Sequence, residues 1–190
     1  MDTIELHFHG PFSFLNKAHS IFGCEYARSR GIYLWTIKSN LGYLIHYIGE
    51  TENLAKRHRE HLINILGLNY GIFEVSQARE GKQVLIWRGL WRYRYSFPIE
   101  EILKIYPGIA SQVIEYINSL DVFFAELDCD LNIRRHIEGS IGWNLRNKYP
   151  DFKVLYPDDN HIGTKRGKMM KKLVITSDEK ILGLDPEMEL

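Results

Sequence analysis

The polar and apolar positions alternate in the manner of strands from Gly31 onward. Leu34 to Ile37 and Tyr43 to Ile48 are rich in aromatic and β-branched residues, and Ser39-Asn40-Leu41-Gly42 between them has turn chemistry. Two antiparallel strands joined as a hairpin follow, Gly31-Ile32-Tyr33 opening the first and Tyr47-Ile48-Gly49 closing the second. Tyr33 and Tyr47 then lie on neighbouring strands. The period changes after Glu50: Leu54, Leu62 and Ile65 recur at helical spacing, with Thr51 able to cap the first turn and Glu52 placed to complement the helix dipole. Arg57 and His61 fall one turn apart on one face of that helix.

A third strand is predicted within Asp121 to Asp128 from the apolar run Val122-Phe123-Phe124-Ala125-Glu126-Leu127. Asp130 can cap a helix from about Leu131 to Asn147, stopped before Pro150. Glu138 lies in the middle of it beside Ile137, Ile141 and Leu145, and a carboxylate next to such a face needs a cation or a hydrogen-bond partner. An ion pair with Arg134 or Arg135 is the plainer alternative.

Between these segments, Ile86 to Tyr95 alternates at period two, with Trp87, Trp91, Tyr93 and Tyr95 on one side and Arg88, Arg92 and Arg94 on the other. Arginines on a strand suit phosphate or guanine contacts, and the aromatics suit base stacking or a core face. Helices are predicted at Ile99 to Tyr106 and Ala110 to Leu120, divided by Pro107-Gly108. Near the start, Ile4, Leu6 and Phe8 alternate with Glu5, His7 and His9, a half-buried strand ended by Gly10-Pro11, and Asn16 to Ile21 has helical character. His7 and His9 lack a further metal ligand nearby in the sequence and are assigned to a polar face.

With 190 residues, 45% hydrophobic and 25% charged, the chain is expected to form one globular domain, 1–190. No segment is long and apolar enough to span a membrane, and Met1 to Leu6 has neither the basic start nor the apolar run of a secretory signal. Cys24 and Cys129 stand outside any zinc spacing and suit reduced thiols, so the expected compartment is cytoplasmic. The 24 basic and 24 acidic side chains cancel, yet they are unevenly placed. From Asn132 to Lys172 ten Lys and Arg face four acids, a local excess of six, whereas residues 173–190 carry one Lys and five acids. Such separation fits a basic face meeting phosphates, with Lys165, Arg166 and Lys168 as its centre, or a solvated basic loop followed by an acidic tail over 161–190.

The ordered set Gly31-Ile32-Tyr33, Tyr47-Ile48-Gly49, Arg57, His61 and Glu138 resembles the GIY-YIG endonuclease superfamily. The resemblance implies an α+β fold in which a small antiparallel three-stranded sheet is flanked by helices. The core covers about 31–66 and 121–160, with an N-terminal extension over 1–30 and a β/α insert over about 67–120. It implies a metal-dependent DNA endonuclease hydrolysing phosphodiester bonds, with Glu138 holding Mg²⁺ or Mn²⁺ and Arg57 contacting the scissile phosphate. Tyr33 would activate the water and Tyr47 position it, or the reverse, with His61 receiving the proton. The family's Asn is assigned to Asn160, in preference to Asn144 and Asn147, although an Asx turn explains Asn160 equally well. The absence of an obvious second domain points to a restriction-type or stand-alone member, acting alone or as a homodimer on a two-strand target. The alternative is a non-catalytic nucleic-acid-binding module with the nuclease fold.

Overall fold

In the computed structural model, which describes residues 2–93, 96–148 and 171–190, nine strands and four α-helices follow one another along the chain. The order is β1 (Asp2–Ser13), β2 (Gly31–Ser39), β3 (Gly42–Thr51), α1 (Leu54–Leu66), β4 (Ile72–Phe73), α2 (Val75–Arg79), β5 (Leu85–Trp87), α3 (Ile99–Ser119), β6 (Leu120–Glu126), α4 (Leu131–Lys148), β7 (Lys171–Ser177), β8 (Ile181–Leu182) and β9 (Glu187–Glu189). Seven strands form one mixed sheet in the order β8-β3-β2-β6-β1-β7-β9, and β4 pairs with β5 separately. The hairpin and the third strand expected from sequence are present as the antiparallel neighbours β3, β2 and β6.

The small three-stranded sheet is nevertheless overturned. The segment assigned as an N-terminal extension supplies β1, which pairs antiparallel with β6 and parallel with β7, and the acidic tail supplies β7, β8 and β9. The physical reason is visible in β6: Val122, Phe123, Phe124 and Ala125 are all buried, so both faces are covered and its free edge needs a backbone partner. Leu6 and Phe8 of β1 and Leu173 and Ile175 of β7 continue the apolar face with Phe123 and Ala125.

Helices cover the sheet on both sides. Tyr33, Trp35, Ile37, Val122 and Phe124 pack with residues of α1, α2 and α3. Ile32, Leu34, Ile45, Ile48 and Phe123 pack on the other face against Ile137, Ile141 and Leu145 of α4, the buried face expected for that helix. Asp130 caps α4 by accepting the Asn132 amide, whereas α1 is capped by Asn53, whose side chain accepts the Lys56 amide, and not by Thr51. Thr51 ends β3 instead, its hydroxyl taking the Asn53 N–H.

Three local expectations also change. Strand β1 runs on to Ser13 through an irregularity between His9 and Phe12 instead of ending at Gly10-Pro11. Residues Ile99 to Ser119 form one helix with Pro107 inside it, because the proline forfeits one backbone hydrogen bond while the apolar stripe on both sides of it stays packed. The arginine-aromatic strand stops at Trp87. Gly89 has φ 87° and a Cβ there would lie 2.8 Å from the Tyr70 carbonyl carbon, so the chain turns and Leu90–Tyr93 winds into a 3-10 turn.

Candidate active site

The register of β2 on β3 pairs Trp35 with Tyr47 and Tyr33 with Gly49. Tyr33 is fully buried, and its phenol lies across β3: a Cβ on Gly49 would stand 2.2 Å from Tyr33 Oη, so the glycine is what admits the ring. Gly31 has an equivalent constraint, since a Cβ there would meet the Ala125 carbonyl at 2.0 Å and force β2 away from β6. The glycines of both tripeptides therefore have packing reasons of their own. The Tyr33 and Tyr47 rings stack with centroids 5.9 Å apart.

Helix α1 brings its histidines onto these rings. His61 Nε2 lies 2.7 Å from Tyr33 Oη, and His61 Nδ1 lies 3.0 Å from Tyr70 Oη. Both partners are hydroxyls, which donate or accept, so a proton can pass along the line Tyr33–His61–Tyr70 in either direction. His58 has no such freedom. Its Nδ1 is 2.9 Å from the Leu54 carbonyl, which only accepts, so Nδ1 carries the hydrogen and Nε2 accepts from Trp35 Nε1 at 3.1 Å. His58 anchors Trp35 and α1, and His61 is the histidine able to take part in chemistry.

Arg57 extends from the same helix, partly exposed, with Nη1 3.1 Å from Glu60 Oε2. Burial works against its charge, but the Tyr33 phenol and Glu60 more than offset this, so the guanidinium stays protonated. Glu138 arrives from the other side of the sheet through a buried anchor one turn earlier. Arg134 is completely buried, with Nε 3.4 Å from Glu50 Oε2 at the end of β3 and further bonds to Glu52 and the Cys129 carbonyl. This pins the first half of α4 to β3, and Glu138, four residues on, lies on the same helix face. The carboxylate is close enough to Tyr47 to push its phenol up.

Electrostatics divides the groups clearly. Burial, reinforced by Tyr47 and opposed by Arg57, raises Tyr33 well above the ordinary phenol range. Burial raises Tyr47 too, Arg57 lowers it and Glu138 raises it, while Tyr70 is pushed up to about 12, mainly by burial. Burial first, then Arg57 and His58, hold His61 well below its ordinary value, so it is neutral at pH 7 and can accept a proton. His58 is lowered to about 3 by burial.

Tyr33, Tyr47, Arg57 and His61 are thus gathered where β2, β3 and α1 meet, while Glu138, on α4 against the other face of the sheet, is linked to them by its effect on Tyr47. Arg88 and Arg92 are exposed but do not share a strand face, since one follows β5 and the other lies in the 3-10 turn. Arg94, Asn160, Lys165, Arg166 and Lys168 lie outside the described residues. Asn144 bonds Asp185 at 2.6 Å and Asn147 bonds the Trp143 carbonyl at 2.8 Å. Sequence reasoning missed Tyr70, Trp35 and His58. The alternation that set Tyr33 on the inner face sets Trp35 there as well, and Leu54, His58 and His61 follow one helical stripe; Tyr70, in a loop, has no comparable signal. No family model matches the chain, and neither a curated protein nor a solved structure does.

Proposed function

We propose that the chain is a metal-dependent endonuclease that hydrolyses DNA phosphodiester bonds, of restriction type or stand-alone. One observation carries this: a buried tyrosine hydrogen-bonded to a buried histidine and stacked on a second tyrosine, with Arg57 acting on both phenols and Glu138, from a second helix, on Tyr47. A binding module has no use for such a proton path. Arg57 offers several N–H donors to the scissile phosphate, whose charge grows in the transition state. An attacking water gives its proton to Tyr33 Oη as the Tyr33 proton moves to His61 Nε2, so no free phenolate has to form in a site that disfavours one. Tyr70 on the far side of His61 steadies the resulting imidazolium by accepting from Nδ1. Tyr47 orients the water or a phosphate oxygen, and if the roles are exchanged Tyr33 does so.

Glu138 suits a hard dication that takes one carboxylate and keeps several waters, because its side chain is partly buried and its carboxylate is near enough to Tyr47 to raise that phenol. When bound there, Mg²⁺ or Mn²⁺ supplies charge stabilisation for a non-bridging oxygen and the leaving 3′ oxygen. Trp91, half exposed and packed edge-on against Tyr70 with centroids 4.8 Å apart, extends the aromatic line to the surface, where it can stack on a base.

Incubation with mixed plasmid DNA and Mg²⁺ or Mn²⁺ tests the proposal. Discrete fragments indicate a restriction enzyme, and a smear or nicked circle indicates a structure-directed or nonspecific nuclease. DNA binding without cleavage under either metal overturns the proposal in favour of a binding module.

A further inference from the structure

His7 and His9 are two residues apart on β1, so their imidazoles leave the same face of the sheet. The parallel register of β1 on β7 sets His7 opposite Thr176, and the chain just past β7 brings Asp178 alongside. Asp178 Oδ1 lies 2.7 Å from His7 Nε2 and its Oδ2 lies 3.6 Å from His9 Nδ1. We propose that His7, His9 and Asp178 form a binding site for a transition-metal dication of the zinc class, separate from Glu138.

One donor atom from each residue falls within 4.8 Å of the others, a spread that small rotations contract to the first sphere of such an ion. Each ligand is already oriented by an outer partner. His7 Nδ1 bonds Thr176 Oγ1 at 2.8 Å, which turns Nε2 inward. Asp178 accepts the Gly10 amide at 3.0 Å and donates its own amide to the Phe8 carbonyl at 3.0 Å, so its carboxylate is held from the backbone. The His9 ring stacks on Tyr26 with centroids 4.7 Å apart. Outer-shell bonds of this kind fix tautomer and aim at metal centres. An ion pair between His7 and Asp178 alone leaves His9, turned to the second carboxylate oxygen, without a role.

The donor set chooses the ion. Two imidazoles and one carboxylate favour zinc, cobalt or nickel over magnesium, which prefers oxygen. Beside His7 and His9 opens a recess of about 390 Å³, also lined by Glu5, Tyr26, Glu126 and Thr176, which leaves room for water or a further ligand on an ion held there.

The full chain, stripped with chelator, is titrated with Zn²⁺ by equilibrium dialysis and with Co²⁺ by visible absorption. One ion per chain is expected, with affinity reduced about a hundredfold or more in His9→Gln and Asp178→Asn and unchanged in Glu138→Ala. Zn²⁺ should also raise the melting temperature of the wild type and not of His9→Gln, a readout that holds whether or not the protein cuts DNA. No Zn²⁺ bound by the wild type, or equal binding by the two variants, overturns the site. Loss of Zn²⁺ binding in Glu138→Ala alone assigns the ion to the other centre and overturns it as well.

Discussion

Two pairs of histidines make a controlled contrast within this molecule. His58 and His61 are buried on successive turns of α1, their nitrogens occupied by an indole, a backbone carbonyl and two phenols. His7 and His9 alternate along β1 at the surface, facing a carboxylate. Burial makes the first pair neutral fixtures of a tyrosine network, while the second pair lines the surface beside the Asp178 carboxylate. Residue type alone says little here; the polarity of the partners sets the chemistry.

The contrast is broken most forcefully with acid. Burial lowers His58 from 6.5 to about 3 and the equally buried His46 from 6.5 to about 4. Both folded-state values lie below the unfolded one, so the stabilisation is present above pH 6.5 and is lost as pH falls. The loss steepens toward roughly 1.4 kcal/mol per pH unit for each histidine and comes to about 3 kcal/mol for the two between pH 6.5 and 5. Urea titrations at the two pH values measure it; a flat profile would mean that these imidazoles reach water.

Next in size are the groups around His61. Arg57→Ala removes the donor proposed for the phosphate, which Lys56 and Arg59, on other faces of α1, do not replace, and single-turnover cleavage should fall about a hundredfold or more. A loss under fivefold contradicts the role. Tyr33→Phe keeps the ring across Gly49 and removes the hydroxyl bonded to His61, and should also cost roughly a hundredfold. Tyr47→Phe should cost less, and the opposite order exchanges their roles. At the other pair, Asp178→Asn in the absence of metal should change unfolding free energy by under about 1 kcal/mol, the scale of an exposed pair. A larger change measured by urea titration would give the surface group a structural importance it lacks here.

The same contrast explains what the sequence disclosed. The hairpin, α1, β6 and α4 were legible because their signals are local: turn residues, caps, and apolar positions at period two or 3.6. Tyr33, Tyr47, Arg57 and His61 fall within that local frame. The wider sheet was not, because β1 and β7 pair across nearly the whole chain and neither strand announces its partner. Asp178 was missed as a neighbour of His7 for that reason, and Tyr70 because a loop tyrosine acquires its partner only through packing. Gly89 ends a strand that alternation alone would extend, and Pro107 departs from its usual punctuation, carried inside a helix by the packing around it.

The most direct measurement is single-turnover cleavage of supercoiled plasmid by Glu138→Ala beside the wild type in Mg²⁺, with DNA affinity measured on the same samples. Glu138 is assigned to the ion and Arg57 to the phosphate, so cleavage should be abolished while DNA binding survives. A Glu138→Ala protein that cuts at near the wild-type rate would contradict the proposed active site.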